Sequence, residues 1–350
     1  MASEYNDIAA TEFSVVPGAP KEGGMFRPGE VWKDTDGKPI RAHGGGILRD
    51  NGIYYWYGED KGRPNRRRDG VLSESVDIIG IHVYSSVDLL HWEDRGIVLP
   101  AVPDNESHDL FPANVLERPK AVRIPSTGKY VLWAHVDSPD YSRASLGVAI
   151  SDSPVGPFTY LHSFRPYGHD SRDMTLFQDT DGATYVFFSS EGPPDAGRAA
   201  SPEPRRTTWW NATQRIARLS DDGLLIAGEP SVAMDGEYRE APAVFRWRDN
   251  YYQITSGCTG WRPNPARWHI ADHPLGPWTT GGDPCVDDRQ GTTFDSQSTF
   301  ILPLPGQPDE FLFLADRWKP KDLQDSRYVW LRLSMKTGEP RIEWRDAWEL

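Results

Sequence analysis

Three acidic residues stand before strand-like runs at distant places in this 350-residue sequence, and together they could do chemistry that one acid could not. They are Glu117, Asp173 and Glu240, and His43 and Gln297 hold the same position before two further runs. Gathering carboxylates is costly, because each ionised neighbour disfavours the charge of the next. Two separated carboxyl groups across a pocket can hydrolyse a glycosidic bond, since one protonates the leaving oxygen and the other activates water or attacks.

These five polar residues open five versions of one pattern, which is a short strand, a turn and an aromatic-rich second strand. The turns fall at Gly52, Gly128, Gly182, Asn250 and Pro308. A third strand and a second turn follow each hairpin, so each unit can supply four strands. The repeat predicts an all-β fold, namely a five-bladed β-propeller with four antiparallel strands per blade.

In a propeller, this repeat would bring the five polar residues together at one candidate functional site. The innermost strand of each blade lines the central channel, so the first residue of each such strand lies at one mouth of that channel. The pattern therefore predicts a ring of His43, Glu117, Asp173, Glu240 and Gln297. One acid at a strand start is usually a cap or a surface charge, but three acids in one ring favour a functional site.

Composition limits the partners of the chain. Fifty-one acidic residues against 38 basic ones give a net charge of −13, which argues against nucleic acid and anionic membranes. The 14 Trp, 14 Tyr and 13 Phe fit an uncharged, polyhydroxylated ligand. No apolar run approaches the ~18 residues of a membrane span. We expect a monomer that binds a carbohydrate.

The chain divides into two unequal parts. Residues 1–24 are small, polar and interrupted by Pro and Gly, which predicts a flexible N-terminal arm, and residues 25–350 form a single propeller domain. The N-terminus lacks the pattern of a signal peptide. We expect a secreted or cell-envelope protein whose signal is absent from this chain, with the cytoplasm as the alternative. Cys258 and Cys285 are either free thiols or a disulfide within the fourth repeat.

Two loops and one histidine have more than one interpretation. The basic run at residues 60–70 is predicted to be a solvated loop. The long loop Glu191–Asn211 ends near Trp209 and Trp210, which could form a sugar-stacking wall or pack in the core. For His43, no second histidine is spaced to share a metal, so an ordinary hydrogen-bonded histidine is favoured. We predict no metal site and no cofactor.

Eight short segments along the chain form a specific set, namely AHGGGIL, YYWYGE, ERPK, TGKYVLWAH, SRDMTLF, REAPAVF, YYQITSGCTGW and FDSQSTF. Together they resemble glycoside hydrolase family 43, and more narrowly its exo-β-1,3-galactanases. The resemblance extends from Trp32 to Leu350. It implies a five-bladed propeller, inversion of anomeric configuration, and release of galactose from the non-reducing end of β-1,3-galactan, the backbone of type II arabinogalactan.

The same resemblance implies roles for individual residues. Glu240 matches the general acid, and the apolar residues after it and the neighbouring carboxylates are expected to raise its pKa. Asp173 matches the residue that holds acid and sugar in place. Sugar contacts are expected from a larger group, which comprises Glu59, Glu117, Tyr141, His43, Glu191, Thr259 and Trp261.

The water-activating group is the open point. Most of the family carries an aspartate base at the head of the first blade, where this chain has Ala42-His43-Gly44. Within the subgroup, the residue matching Gln297 is argued to hold the attacking water, with the match to Glu117 as the rival. We favour Gln297 as the water holder and Glu117 as a binding and electrostatic residue. The alternative functions are a β-galactosidase, arabinofuranosidase or xylosidase on the same scaffold, and a non-catalytic galactan-binding propeller.

Overall fold

The computed structural model describes residues 24–68, 70–192 and 211–350. The predicted N-terminal arm, apart from Gly24, and most of the loop with the paired tryptophans lie outside these residues. In the described part of the chain almost all regular structure is β, and helix is limited to two short 3₁₀ turns, Pro166–Gly168 and Leu323–Asp325. None of the helices described is long and apolar enough to cross a membrane.

Five antiparallel sheets follow one another along the chain, each with its first strand innermost. The first contains β1 (His43–Asp50), β2 (Ile53–Glu59), an inserted hairpin of β3 (Arg67–Arg68) and β4 (Val71–Leu72), then β5 (Gly80–Ser86) and β6 (Glu93–Pro100). The second contains β7 (Val115–Arg123), β8 (Tyr130–Asp137), β9 (Ser145–Ser151) and β10 (Thr159–Phe164). The third contains β11 (Met174–Gln178), β12 (Thr184–Ser190), β13 (Thr213–Arg218) and β14 (Ser231–Met234).

The last two sheets complete the set. The fourth contains β15 (Arg239–Trp247), β16 (Asn250–Gly257), β17 (Arg267–Ala271) and β18 (Thr279–Thr280). A short strand, β19 (Cys285–Val286), leads to the fifth, which contains β20 (Gln297–Pro303), β21 (Glu310–Arg317), β22 (Arg327–Ser334) and β23 (Arg341–Glu343). β19 adds to this sheet in parallel with β23, so the fifth blade has one strand more than predicted.

The sheets close into a ring around a central channel. The inner strands β1, β7, β11, β15 and β20 contact one another in sequence, and β1 also packs on β20. The two ends of the domain meet where Phe26 pairs with Trp348 and their rings stack at 4.4 Å. The predicted five-bladed propeller is confirmed.

Aromatic side chains fill the wedges between blades. Trp56, Trp92 and Trp330 are each 1% exposed and pack edge to face or tilted in one cluster between the first and last blades. Trp133 is also fully buried, against the third blade. Much of the aromatic excess therefore builds the core and not a ligand surface. Cys258 and Cys285 are free thiols, which excludes the disulfide alternative.

Candidate active site

One mouth of the channel opens into a cavity of about 660 Å³. Four of the five strand heads line it, namely Glu117, Asp173, Glu240 and Gln297. Four of the other residues expected to touch a sugar also line it, and these are Glu59, Tyr141, Thr259 and Trp261.

Bulges at the heads of the inner strands set the direction of these side chains. Pairing with the second strand shifts register directly after Glu117 and directly after Glu240. The next residue in each case has a positive φ, 55° for Arg118 and 52° for Ala241. A bulge bends the strand and re-aims the side chain beside it, and such strained backbone clusters at functional sites.

Glu240 is bound by two amides. The residue is 7% exposed, its Oε2 accepts a hydrogen bond from Asn211 Nδ2 at 2.8 Å, and its Oε1 accepts one from Gln297 Nε2 at 3.2 Å. Asp173 reaches this pair indirectly, because it forms an ion pair with Arg118 at 3.0 Å and Arg118 in turn donates to Gln297.

The Gln297 amide has its hydrogen-bonding positions occupied. Oε1 accepts from Arg118 at 2.6 Å and from Trp318 Nε1 at 3.0 Å, while Nε2 donates to Glu240 and, at 3.4 Å, to Ser256 Oγ. Arg and Trp can only donate, so the orientation of the amide is fixed. The oxygen expected to orient a water is therefore engaged by two protein donors, and the nitrogen faces the acid.

A second charged cluster lies around Glu59 and Glu117. Lys61 Nζ is 2.6 Å from Glu59 Oε2 and 3.7 Å from Glu117 Oε1, and Tyr141 donates to the same Glu117 oxygen at 2.9 Å. Burial raises the pKa of Glu59 to about 7, although Lys61 opposes the shift. Burial would also raise the pKa of Glu117, but a hydrogen bond from His135 and the charge of Lys61 outweigh it and lower that pKa to about 2.

His135 remains charged beside Glu117. Its Nδ1 lies 3.5 Å from Glu117 Oε2 and its Nε2 lies 3.0 Å from Asp137 Oδ2. Burial disfavours the imidazolium, but the two carboxylates outweigh burial and raise the pKa of His135 to about 9. The cavity therefore combines one carboxylate that stays ionised, Glu117, with one that titrates near neutrality, Glu59.

A buried lysine links two neighbouring inner strands. Lys120 is 1% exposed and donates from Nζ on β7 to Gly44 O on β1 at 2.8 Å. Burial, with the nearby charge of Arg118, lowers the pKa of Lys120 well below its usual value.

Comparison with known proteins identifies the family. Residues 46–300 match the family described as glycosyl hydrolases family 43. The chain belongs to glycoside hydrolase family 43. It is a glycoside hydrolase, and the residues described above form its candidate active site.

Solved structures of family 43 enzymes are similar over almost the whole chain. One is a β-1,3-galactosidase solved with galactodeoxynojirimycin, which is 38% identical with a TM-score of 0.80 and covers 93% of this chain and 100% of its own. Another is an exo-β-1,3-galactanase from Phanerochaete chrysosporium, solved as a glutamate-to-alanine variant with β-1,3-galactotriose. It is 32% identical with a TM-score of 0.80, and the match covers 93% of this chain and 68% of that one.

A curated family 43 relative acts on different sugars. A xylosidase/arabinosidase from Bacteroides ovatus is 29% identical over 231 residues, which is 57% of this chain and 65% of that protein. The chain therefore spans less than two thirds of that relative's length. Membership of family 43 alone leaves the sugar undetermined.

Two expected sugar contacts lie away from the family 43 cavity. His43 is 1% exposed, bonds Asp316 Oδ1 through Nδ1 at 2.8 Å, and stacks on Tyr328 at 4.6 Å, so it supports the wall from behind. The Glu191 carboxylate accepts hydrogen bonds from His169, the Asp170 amide and Ser190 instead of lining the cavity. Neither residue is part of the cavity lining, and their contact with a sugar stays a prediction.

Several cavity residues escaped prediction. The basic run was expected to be solvated, but Lys61 at its start is 8% exposed and holds two carboxylates, so that expectation was wrong for this residue. Arg118 follows a strand head and could have been inferred from its place beside Glu117. His135, Asn211 and Trp318 follow no pattern in the sequence, because tertiary packing alone brings them to the cavity.

One grouping of possible metal ligands occurs among the described residues, and it is Glu117, His135 and Asp173. Protein cations already face these groups, since His135 is itself protonated between two carboxylates and Arg118 pairs with Asp173. A metal ion would have to displace both. We still predict that the site works without a metal, and this charge balance supports the prediction.

Proposed function

We propose that this family 43 glycoside hydrolase is an inverting exo-enzyme that releases galactose from the non-reducing end of β-1,3-galactan. The observation that carries the proposal is the cavity itself, which a buried acid, Glu240, shares with the carboxylates Glu59 and Glu117. The two similar solved enzymes described above are named for β-1,3-linked galactose, and each match covers 93% of this chain. Because a polymer substrate stays outside the cell, an extracytoplasmic location goes with this proposal.

In the proposed reaction Glu240 donates a proton to the departing glycosidic oxygen. Before sugar binds, Asp173 positions the acid through Arg118 and Gln297. Glu117 and Glu59 accept hydrogen bonds from hydroxyl groups of the terminal galactose. The low pKa of Glu117 supports this role, because a carboxylate that stays ionised binds well but is a weak proton acceptor.

The attacking water needs an acceptor for its proton. Gln297 Nε2 could accept it only after passing one of its own protons to Glu240 Oε1, and the Arg118 and Trp318 donors on Oε1 would stabilise the resulting anion. An inverting enzyme needs its acid and water-activating group about 6.5–9.5 Å apart, so the 3.2 Å contact between Gln297 and Glu240 must open when sugar enters. Glu117 remains the alternative acceptor.

The test is a comparison of substrates. The protein is incubated separately with β-1,3-galactan and arabinoxylan, and the products are separated by chromatography. Galactose alone supports the proposal, and its first-formed α-anomer, seen by NMR, supports inversion. Pentose from arabinoxylan would favour a xylosidase or arabinofuranosidase, as the Bacteroides ovatus relative suggests. No product from either polymer would favour a binding protein.

A further inference from the structure

The hairpin inserted between the second and third strands of the first blade borders the cavity. We name residues 65–77 the wall hairpin; it contains β3, β4 and the segment from Ser73 to Ser75. Ser73, Glu74 and Ser75 line the main cavity. The first residues of the wall hairpin belong to the basic run that was predicted to be a solvated loop.

The first anchor of the wall hairpin is Arg66. Its Nε donates to Asp77 Oδ1 at 2.6 Å, and its two terminal nitrogens donate to Ala113 O at 2.8 Å and Pro112 O at 2.5 Å. Its backbone amide donates to Ser75 O at 2.8 Å. The side chain is 16% exposed, so this arginine ties the hairpin to the loop that precedes the second blade.

The second anchor is Asn65. Its Nδ2 donates to Ser73 O at 2.9 Å and to Pro320 O at 2.7 Å, while its Oδ1 accepts from the Leu323 amide at 2.9 Å. Asn65 thus ties the hairpin to the loop of the fifth blade. With both anchors, the base of the wall hairpin is a fixed part of the cavity.

The wall hairpin lies next to the carboxylates proposed to hold the terminal sugar. A narrow space of about 40 Å³ is lined by residues of both groups, namely Glu59, Glu117 and Tyr141 together with Glu74 and Ser75, and also by Trp261. Such a space holds a few water molecules and cannot hold a sugar ring.

The proposed acid, Glu240, does not line this narrow space. Among the described residues, Glu240 and Asn211 line the main cavity and not the narrow space. The leaving part of the substrate must lie next to the acid. The wall hairpin therefore borders the Glu59 and Glu117 side of the cavity, where it shares with these carboxylates a space that the acid does not line.

We propose that the wall hairpin closes the cavity behind the terminal sugar, through Ser73, Glu74 and Ser75, and thereby restricts cleavage to the chain end. This inference rests on the proposed function. In a β-1,3-linked chain the next sugar on the non-reducing side is attached through O3. The O3 hydroxyl of the bound terminal galactose accordingly faces the wall hairpin, and a substituent on O3 prevents binding.

A variant without the wall tests this inference. Residues 67–74 are replaced by two glycines, which can span the gap because Arg66 and Ser75 are hydrogen-bonded neighbours. The matched control is Val71→Ser with Leu72→Ser, since these tip residues are 69% and 43% exposed and outside the cavity. The substrates are β-1,3-galactotetraose, the same oligosaccharide methylated on O3 of its terminal galactose, and an aryl β-galactoside with a good leaving group.

The wild-type protein and the tip variant should release only galactose from the free tetraose and leave the methylated one intact. The wall-less variant should cleave the methylated tetraose at least roughly tenfold faster than wild type and release galactobiose early from the free one. Its rate on the aryl galactoside reports that the catalytic groups remain in place.

The inference would be overturned if the wall-less variant hydrolyses the aryl galactoside but still does not cleave the methylated tetraose. If the shortened chain does not fold, Glu74→Gly widens the same gap and must raise cleavage of the methylated substrate. Failure of the proposed function gives a different result, because the wild-type protein would then release no galactose even from the free tetraose.

Discussion

Replacing Glu240 with glutamine removes the proton that the proposed mechanism donates and keeps the length of the side chain. General acid catalysis contributes about 10²–10⁴ in rate, which corresponds to roughly 2.7–5.4 kcal/mol of transition-state stabilisation. We therefore expect kcat on β-1,3-galactan to fall by about this factor in Glu240→Gln. Binding of the sugar should change far less, because the cavity keeps its shape.

The surroundings of Glu240 can accept the new amide. Asn211 Nδ2 donates to Glu240 Oε2, and Asn211 Oδ1 is buried without a hydrogen-bond partner among the described residues. Rotating the Asn211 amide by half a turn would present Oδ1 to the glutamine nitrogen and satisfy both groups. The free energy of unfolding should consequently change by no more than about 1 kcal/mol. A loss of activity then reports chemistry and not misfolding.

The assay compares two leaving groups. Galactan needs a proton on its departing oxygen, whereas an aryl β-galactoside with a strongly acidic phenol leaves without one. Glu240→Gln should lose most of its rate on galactan and little on the activated aryl galactoside. The matched control is Glu237→Gln on the same segment, whose carboxylate faces Thr280 and Arg267 outside the cavity. This control should keep wild-type rates on both substrates.

Two results would refute the assignment of the acid. Near-wild-type turnover of galactan by Glu240→Gln would show that the proton comes from another group. An equal loss on both substrates would show that Glu240 acts on a step other than protonation of the leaving oxygen. Either result would move the search for the acid to Asp173, which also lines the cavity.

Three further predictions address the rest of the site. With azide as a substitute nucleophile, Gln297→Ala should be partly rescued and yield the inverted glycosyl azide; rescue of Glu117→Ala alone would reverse our assignment. If ionised Glu59 binds a sugar hydroxyl, kcat/KM should fall as pH drops through about 7. Lys61→Met should move this acidic limb of the pH–rate profile to higher pH, because loss of the cation raises the pKa of the Glu59 carboxyl group. An acidic limb at the wild-type pH would contradict this. Trp261→Ala should raise KM about tenfold with little change in kcat, measured on galactotriose, and an unchanged KM would remove Trp261 from the sugar site.

The propeller and the gathering of the acids could be predicted because both follow from local periodicity. Each inner strand begins with a polar residue and continues with strand-forming residues, and closure of the ring brings the heads of four strands to one cavity. His43 shows the limit of that rule. Its strand also has a bulge at the head, yet its side chain packs against Asp316 and Tyr328. A strand pattern gives the position of a residue but not the rotation of the chain at a bulge.

The burial of the charged residues around the cavity could not be predicted, because it depends on partners distant in sequence. Lys61 and Arg118 are ordinary surface residues by composition, and their ion pairs with Glu59, Glu117 and Asp173 make their burial tolerable. The same limit applies to Trp318, which reaches the Gln297 amide from the end of another strand. These three donors determine which atoms of the acids and the amide are available to a substrate.

The missing aspartate of the first blade has a physical explanation in this cluster. A Cβ at Gly44 would lie 2.3 Å from Glu59 Oε1 and 3.4 Å from the Arg118 amide, and its φ of 61° disfavours any other residue. Glu59, held by Lys61, thus occupies the space into which a side chain on the first strand would project. A base at Gly44 would displace a proposed sugar-binding carboxylate. Gln297 and Glu117, on other blades, are the strand heads that line the cavity and can activate water.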